Sequence, residues 1–168
     1  MKLSDGVEQA IHCVAMLAGL EPDAVLPASA LAEFHDVSPS YLLKHMQALS
    51  VAGLVKTTPG PNGGYRLARE PDAITLLDIV LAVEGAQPAF RCAEIRQRGP
   101  NPLPGKPTMP CEINAAMLRA ERAYRAELAR VTIADINALV AEQDTDGAID
   151  ARRCAFLELR QRHQSTSS

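Results

Sequence analysis

The thirty residues from Ser38 to Leu67 restrict the fold more than any other part of the chain. Ser38-Pro39-Ser40-Tyr41 reads as a helix start. Ser38 suits the capping position, and Pro39 suits the first helical position, where no N–H is needed. Leu42, Met46 and Leu49 recur at helical spacing as far as Ala52, and Gly53 stops the run. Leu54 to Thr58 alternates as a short strand, Pro59 to Gly64 is turn-forming, and Tyr65-Arg66-Leu67 is a return strand. Upstream, Asp5 to Leu20 reads as a helix with Val7, Ile11, Val14, Ala15 and Ala18 on one face, ended by Glu21-Pro22-Asp23. Pro27 to Phe34 reads as a second, shorter helix, and His35-Asp36-Val37 as a tight turn. Helix, helix, turn, helix and hairpin is the order of a winged helix-turn-helix. The expected fold class is therefore mainly α, with a small β-hairpin wing.

Beyond the wing, Thr75-Leu76-Leu77-Asp78 has the capping-box layout with Asp in place of the usual Glu. It opens a helix to about Val83, closed by Gly85. Arg91 to Pro110 holds five prolines and two glycines and reads as a long loop. Such loops are usually functional or disordered. Cys111 to Val131 is the longest helical candidate, with Ile113, Met117, Ala120, Tyr124, Leu128 and Val131 at spacings of three and four. A long amphipathic helix after a small DNA-binding unit suits a dimerisation arm. Thr132 starts another short helix, Asp144 to Asp150 is a polar break, Ala151 to Arg162 reads as helical, and Gln164 to Ser168 as frayed. The expected division is a DNA-binding domain at 1–85, a cysteine-bearing sensor loop at 86–110, a dimerisation helix region at 111–143 and a partly disordered C-terminal extension at 144–168.

The net charge of −3 argues weakly against nucleic acid, but its distribution argues the other way. Between Val37 and Arg69 there are four basic residues (Lys44, Lys56, Arg66, Arg69) and no acid. A local basic face is the electrostatic footprint of DNA binding. No apolar run reaches the roughly 18 residues of a membrane span. Acids precede any apolar stretch at the N-terminus, so no signal peptide is read there and a cytoplasmic location is expected. No phosphate-binding loop, nucleophile elbow or HExxH occurs, so enzymatic activity is not expected.

On this reading the helix from Pro39 enters the major groove, presenting Ser38, Ser40, Tyr41, Lys44 and His45. The wing supplies Asn62, Gly63, Gly64 and Arg66: glycines let backbone N–H groups approach phosphate, and an Arg there suits a minor groove. A plainer reading, in which Tyr41 packs on Leu67 and the glycines only close the hairpin, stands beside it for each residue taken singly.

The segments "DVSPSYLLKHMQALSVAGLV" and "GPNGGYRLAREPDAITLLDIVLAVEG" resemble the Rrf-two family of bacterial repressors over roughly residues 1 to 140. The resemblance implies a homodimer on palindromic operator DNA and, in many members, an iron–sulfur cluster that changes DNA affinity. "MKLSDGVEQAIHC", "LAEFHDVSPSYL" and "FRCAEIRQRGP…PCEINAAM" are most similar to the RsrR-type subgroup, a [2Fe–2S] redox-sensing group. That similarity implies one cluster per subunit, with Cys92 and Cys111 from one subunit and Glu8 and His35 from the other. Cluster-bearing relatives with three closely packed cysteines differ, because this loop region holds only Cys92 and Cys111, with eighteen residues between them.

Taken from the residues alone, that spacing is not a metal motif. Cysteine count and a cytosolic setting exclude a disulfide scaffold. The alternative to a cluster is a reversible Cys92–Cys111 thiol/disulfide switch on the same fold. Cys13, on an apolar helix face, and the adjacent His12 read as structural, and Cys154 has no assigned role.

Overall fold

A computed structural model describes residues 3–102, 104–105 and 107–163. Its first half is the expected order: α1 (Asp5–Leu17), β1 (Ala24–Val25), α2 (Ala28–His35), α3 (Pro39–Val51), then the hairpin of β2 (Val55–Thr58) and β3 (Gly64–Leu67). There follow α4 (Leu76–Glu84), α5 (Glu112–Leu128), α6 (Ile133–Gln143), α7 (Ala148–Arg160) and β4 (Arg162–His163). Between α4 and α5 the proline-rich segment is a loop with one short 3₁₀ turn at Ile95–Gln97. The frayed end expected at Gln164 to Ser168 lies outside the described residues.

α1 is the centre of the core. It packs on α3, α4 and α6, burying Val14, Met16 and Leu17 against Leu42, Met46, Leu49, Ile79 and Ile133. Full burial of such side chains contributes roughly 1.5–3 kcal/mol each. α1 ends at Leu17, short of the expected Leu20, where Gly19 N–H turns back to the Met16 carbonyl at 3.0 Å. α2 runs one residue further than expected: Asp36 takes the left-handed conformation (φ 50°), so His35 is the last helical residue and not part of the turn.

The Thr75 capping box forms as read. Thr75 Oγ1 accepts from Asp78 N–H at 3.1 Å, and Asp78 Oδ2 accepts from Thr75 N–H at 2.9 Å. Thr132 and Asp135 repeat the device at the start of α6. The two boxes are stitched together, because Leu76 N–H donates to the Val131 carbonyl and Ile133 N–H to the Ile74 carbonyl, both at 2.9 Å. α5 leaves the body beside α4 and carries its apolar residues largely uncovered: Ile113 is 64% exposed and Met117 43%.

The sequence reading did not include β1 and β4. They pair antiparallel, Ala24 with His163 and Val25 with Arg162. The next residue, Leu26, exchanges two backbone hydrogen bonds with Tyr65 of β3, each 2.9 Å. The wing hairpin, registered Val55–Leu67 to Thr58–Gly64, is thus joined to the body through β1.

Candidate functional site

α3 presents its N-terminal turn outward. Ser38, Ser40, Tyr41 and Lys44 are all exposed. Ser38 occupies the capping position, yet its hydroxyl meets Ser40 Oγ at 3.1 Å and makes no cap bond. The first N–H groups of α3 therefore keep no side-chain partner, and such a terminus attracts anions. His45 is corrected: expected among the DNA readers, it is only 6% exposed. It lies three residues after Leu42, on the buried face. Its ring sits over Gly6 of α1, where a Cβ would come within 2.3 Å of His45 Cε1. Tyr41 stands edge-on against that ring, with centroids 4.6 Å apart. Burial keeps the His45 pKa below its usual value, with Lys44 adding to the effect.

In the wing, Asn62 is exposed at the tip. Gly63 and Gly64 are buried, and the contacts explain both as glycines. A Cβ on Gly63 would lie 2.0 Å from the Thr58 carbonyl oxygen, and one on Gly64 would lie 2.6 Å from the Leu26 carbonyl. Close backbone packing is thus their first role, ahead of the phosphate approach expected from sequence. Arg66 lies across from Lys56, down the strand from the tip, in a depression shared with Arg69, Asp23 and Glu70.

The loop before α5 is closed on itself. Arg96 Nε donates to Glu94 Oε1 at 2.5 Å, and its Nη2 reaches the Met109 carbonyl at 3.3 Å. Gln97 Nε2 donates to the Gly105 carbonyl at 3.0 Å. These bonds draw the two ends of the loop together, so Cys92 and Cys111 become side-chain neighbours despite their distance in sequence. Cys111 is the N-cap of α5. Its thiol pKa is lowered, first by the Asn114 backbone N–H, then by that of Ile113, by Cys92 and by Arg96. Both N–H groups belong to the first turn of α5, where a cysteine thiolate is favoured. The start of the loop is pinned to α5 by Glu121, which is 9% exposed. Its carboxylate accepts from Ala89 N–H at 3.0 Å and from Arg125 Nη2 at 2.6 Å. Arg125 in turn donates to the carbonyls of Ala86 and Gln87, each at 3.1 Å.

Glu8 and His35 lie elsewhere, in a shallow depression between α1 and the end of α2, lined also by Asp5, Gln9, His12 and Val37. Glu8 is exposed. His35 Nε2 is buried without a hydrogen-bond partner. Its pKa is lowered to about 4, mainly by burial and further by His12 and Arg152, so the imidazole is neutral near pH 7. His12, read from sequence as structural, is exposed and faces His35 with ring centroids 5.5 Å apart. It follows Glu8 by four residues, on the same helix face. That spacing is the signal that could have brought it into the site. Cys13 is buried as expected, with its thiol pushed up to about 12 by burial. Cys154 is exposed near Asp150. Among the described residues, no three His, Cys, Asp or Glu side chains come together in metal-binding reach. The four residues thus form two separate pairs within one chain.

Residues 3–138 match the family model Rrf2, described as an iron-dependent transcriptional regulator. YffB of Lactococcus lactis, named for a helix-turn-helix transcriptional regulator, is 35% identical over 136 residues, 81% of this chain and 86% of its own. The regulator IscR of Aliivibrio salmonicida is 33% identical over 92 residues, 55% of each chain. Among solved structures, CymR, the global cysteine regulator of B. subtilis, superposes with a TM-score of 0.64 at 25% identity, over 83% of this chain and 98% of its own. T. potens IscR shares the fold with the same score of 0.64 at 23% identity, over 86% of this chain and 92% of its own. These relatives are regulators and not enzymes, and their fold is the winged helix described above. No helix among the described residues is long and apolar enough to cross a membrane.

Proposed function

The chain belongs to the Rrf2 family of transcriptional regulators, and we propose that it is a homodimer on palindromic operator DNA whose affinity follows a [2Fe–2S] site shared between subunits. The exposed turn of Ser38, Ser40, Tyr41 and Lys44 supplies the groove-reading surface, and Asn62 marks the wing tip. Ile113 and Met117 on α5, continued by Ala120 and Tyr124, supply an apolar stripe for a second copy. If Lys44 and Arg66 contact DNA as read, Lys44→Ala and Arg66→Ala each weaken binding by roughly 1–3 kcal/mol where they read bases. Titration of a duplex enriched by the unsubstituted protein from a random pool checks this. Unchanged affinity in both variants would contradict the docking.

One observation carries the sensing half of the reading: the closed loop holds two cysteines together, one of them shifted toward thiolate at the head of α5. Paired thiolates suit one side of an iron–sulfur centre. Glu8 and a neutral imidazole from His35 suit the other, and His12 stands beside them as a second imidazole. Since the two pairs lie apart in one chain, the set is complete only when the pair from one subunit meets that of its partner. A bound [2Fe–2S] cluster would supply one-electron redox chemistry there. Within the chain, α1 links the depression to the reading surface, because Gly6 lies under His45 two residues before Glu8. A shift of α1 is thereby passed to α3.

The proximity of Cys92 to Cys111 also favours a second reading. The two thiols would be oxidised to a disulfide, giving up two electrons and two protons to an external oxidant. Iron content separates the two.

A further inference from the structure

The chain continues past the family match, which ends at residue 138. The continuation returns to the DNA-binding domain. Leu157 of α7 is buried in the main core, and its Cδ1 lies 3.1 Å from where a Cβ on Gly19 would be. Phe156 meets Phe34 of α2 with ring centroids 5.0 Å apart. Arg152 lies over the same Phe34 ring at 4.4 Å, and Arg160 pairs with Glu33 at 2.5 Å. Past α7, Gln161 accepts from Glu21 N–H at 3.3 Å, and β4 then covers the open edge of β1. The Arg162 side chain crosses to the wing and donates from Nη1 to the carbonyl of Pro61, in the turn between β2 and β3.

We propose that this C-terminal segment is a strap that sets the pose of the wing on DNA, and that Arg162 is its positioning residue. The inference rests on the operator-binding reading above. The wing is a two-stranded hairpin, and such a pair is marginal unless something backs it. Leu26, the residue after β1, backs the ladder at Tyr65, one pair before its last pair, Thr58–Gly64. Its tip is a Pro- and Gly-rich turn, and among the described residues the Arg162 side chain donates to that turn from outside the hairpin. The same strap grips α2, whose last residue is His35. It therefore fixes the wing relative to the element carrying that imidazole.

The test uses the full chain and a duplex enriched by the unsubstituted protein from a random-sequence pool. Arg162→Ala is compared with Arg160→Ala, which removes the same charge from the same strap but leaves the wing contact. Arg162→Lys keeps the charge and part of the donor reach. The strap predicts that Arg162→Ala weakens binding by about five- to tenfold, that Arg160→Ala changes it less than about twofold, and that Arg162→Lys recovers part of the loss. The salt dependence of binding stays that of the parent, because Arg162 acts on Pro61 and not on phosphate. A slope reduced by about one would mean a direct phosphate contact and would overturn the positioning role. Equal affinities of the Arg162→Ala, Arg160→Ala and parent proteins would overturn it too. Equal losses in both alanine variants would assign the effect to charge alone, with the same consequence. Thermal unfolding of each variant reads any general destabilisation apart from the binding change. If the parent enriches no duplex, the operator-binding reading itself fails and the strap's role falls with it.

Discussion

Gly64→Ala lowers stability by about 3 kcal/mol, the upper part of the range for inserting a methyl group where no space exists. The added Cβ would stand 2.6 Å from both the carbonyl carbon and oxygen of Leu26, and 2.9 Å from Pro27 N. These are backbone atoms, so no side chain can swing aside. Either β3 or the β1 segment must move. Both hydrogen bonds between Leu26 and Tyr65 lie at that point, and they hold the wing to the body. Leu26 is itself fully buried, so its displacement disturbs the core. Urea unfolding checks the prediction through a reduced midpoint. Gly60, at φ 99° with open space around it, provides the comparison: Gly60→Ala carries backbone strain but meets no atom within 4 Å. A Gly64→Ala protein as stable as its parent would mean that the wing is not clamped to β1 as described.

Cys111→Ala empties the proposed site. Iron and sulfide fall from about two each per subunit to near zero, and the visible absorption goes with them. The expectation follows from the role of the side chain. Cys111 heads α5, where the Asn114 and Ile113 N–H groups favour its thiolate, and thiolate is the form that binds iron. Cys92→Ala has the same effect, because the Cys92 side chain lies beside that of Cys111. Cys154→Ala leaves the iron content unchanged, since that exposed thiol lies on α7 beside Asp150. Full retention of iron in Cys111→Ala would remove this residue from the ligand set.

The sequence contained most of the DNA-binding half, because its signals are local. Pro39 and Gly53 punctuate α3, alternation marks β2, and Thr75 with Asp78 closes a reciprocal cap. What escaped depends on contacts between distant residues. β1 and β4 are two residues each and gain meaning only by pairing with one another. Ala151 to Arg162 reads as a helix, but nothing in its composition says that Leu157 reaches the core. The segment before α5 reads as a long loop, and its sequence does not show that Arg96 folds it back through one side chain. Two positions are legible in the periodicity. His45 falls three residues after Leu42 and so belongs to the buried face of α3. His12 falls four residues after Glu8 and so shares its exposed face. The glycines of the wing were recognised as special, and packing against Thr58 and Leu26 is the physical reason.

The most direct test is to purify the protein without oxygen, record its visible spectrum and assay iron and acid-labile sulfide. The expected result is a coloured protein with about two irons and two sulfides per subunit. A colourless protein, free of iron even after anaerobic reconstitution, would contradict the cluster and leave a Cys92–Cys111 disulfide as the switch on the same DNA-binding fold.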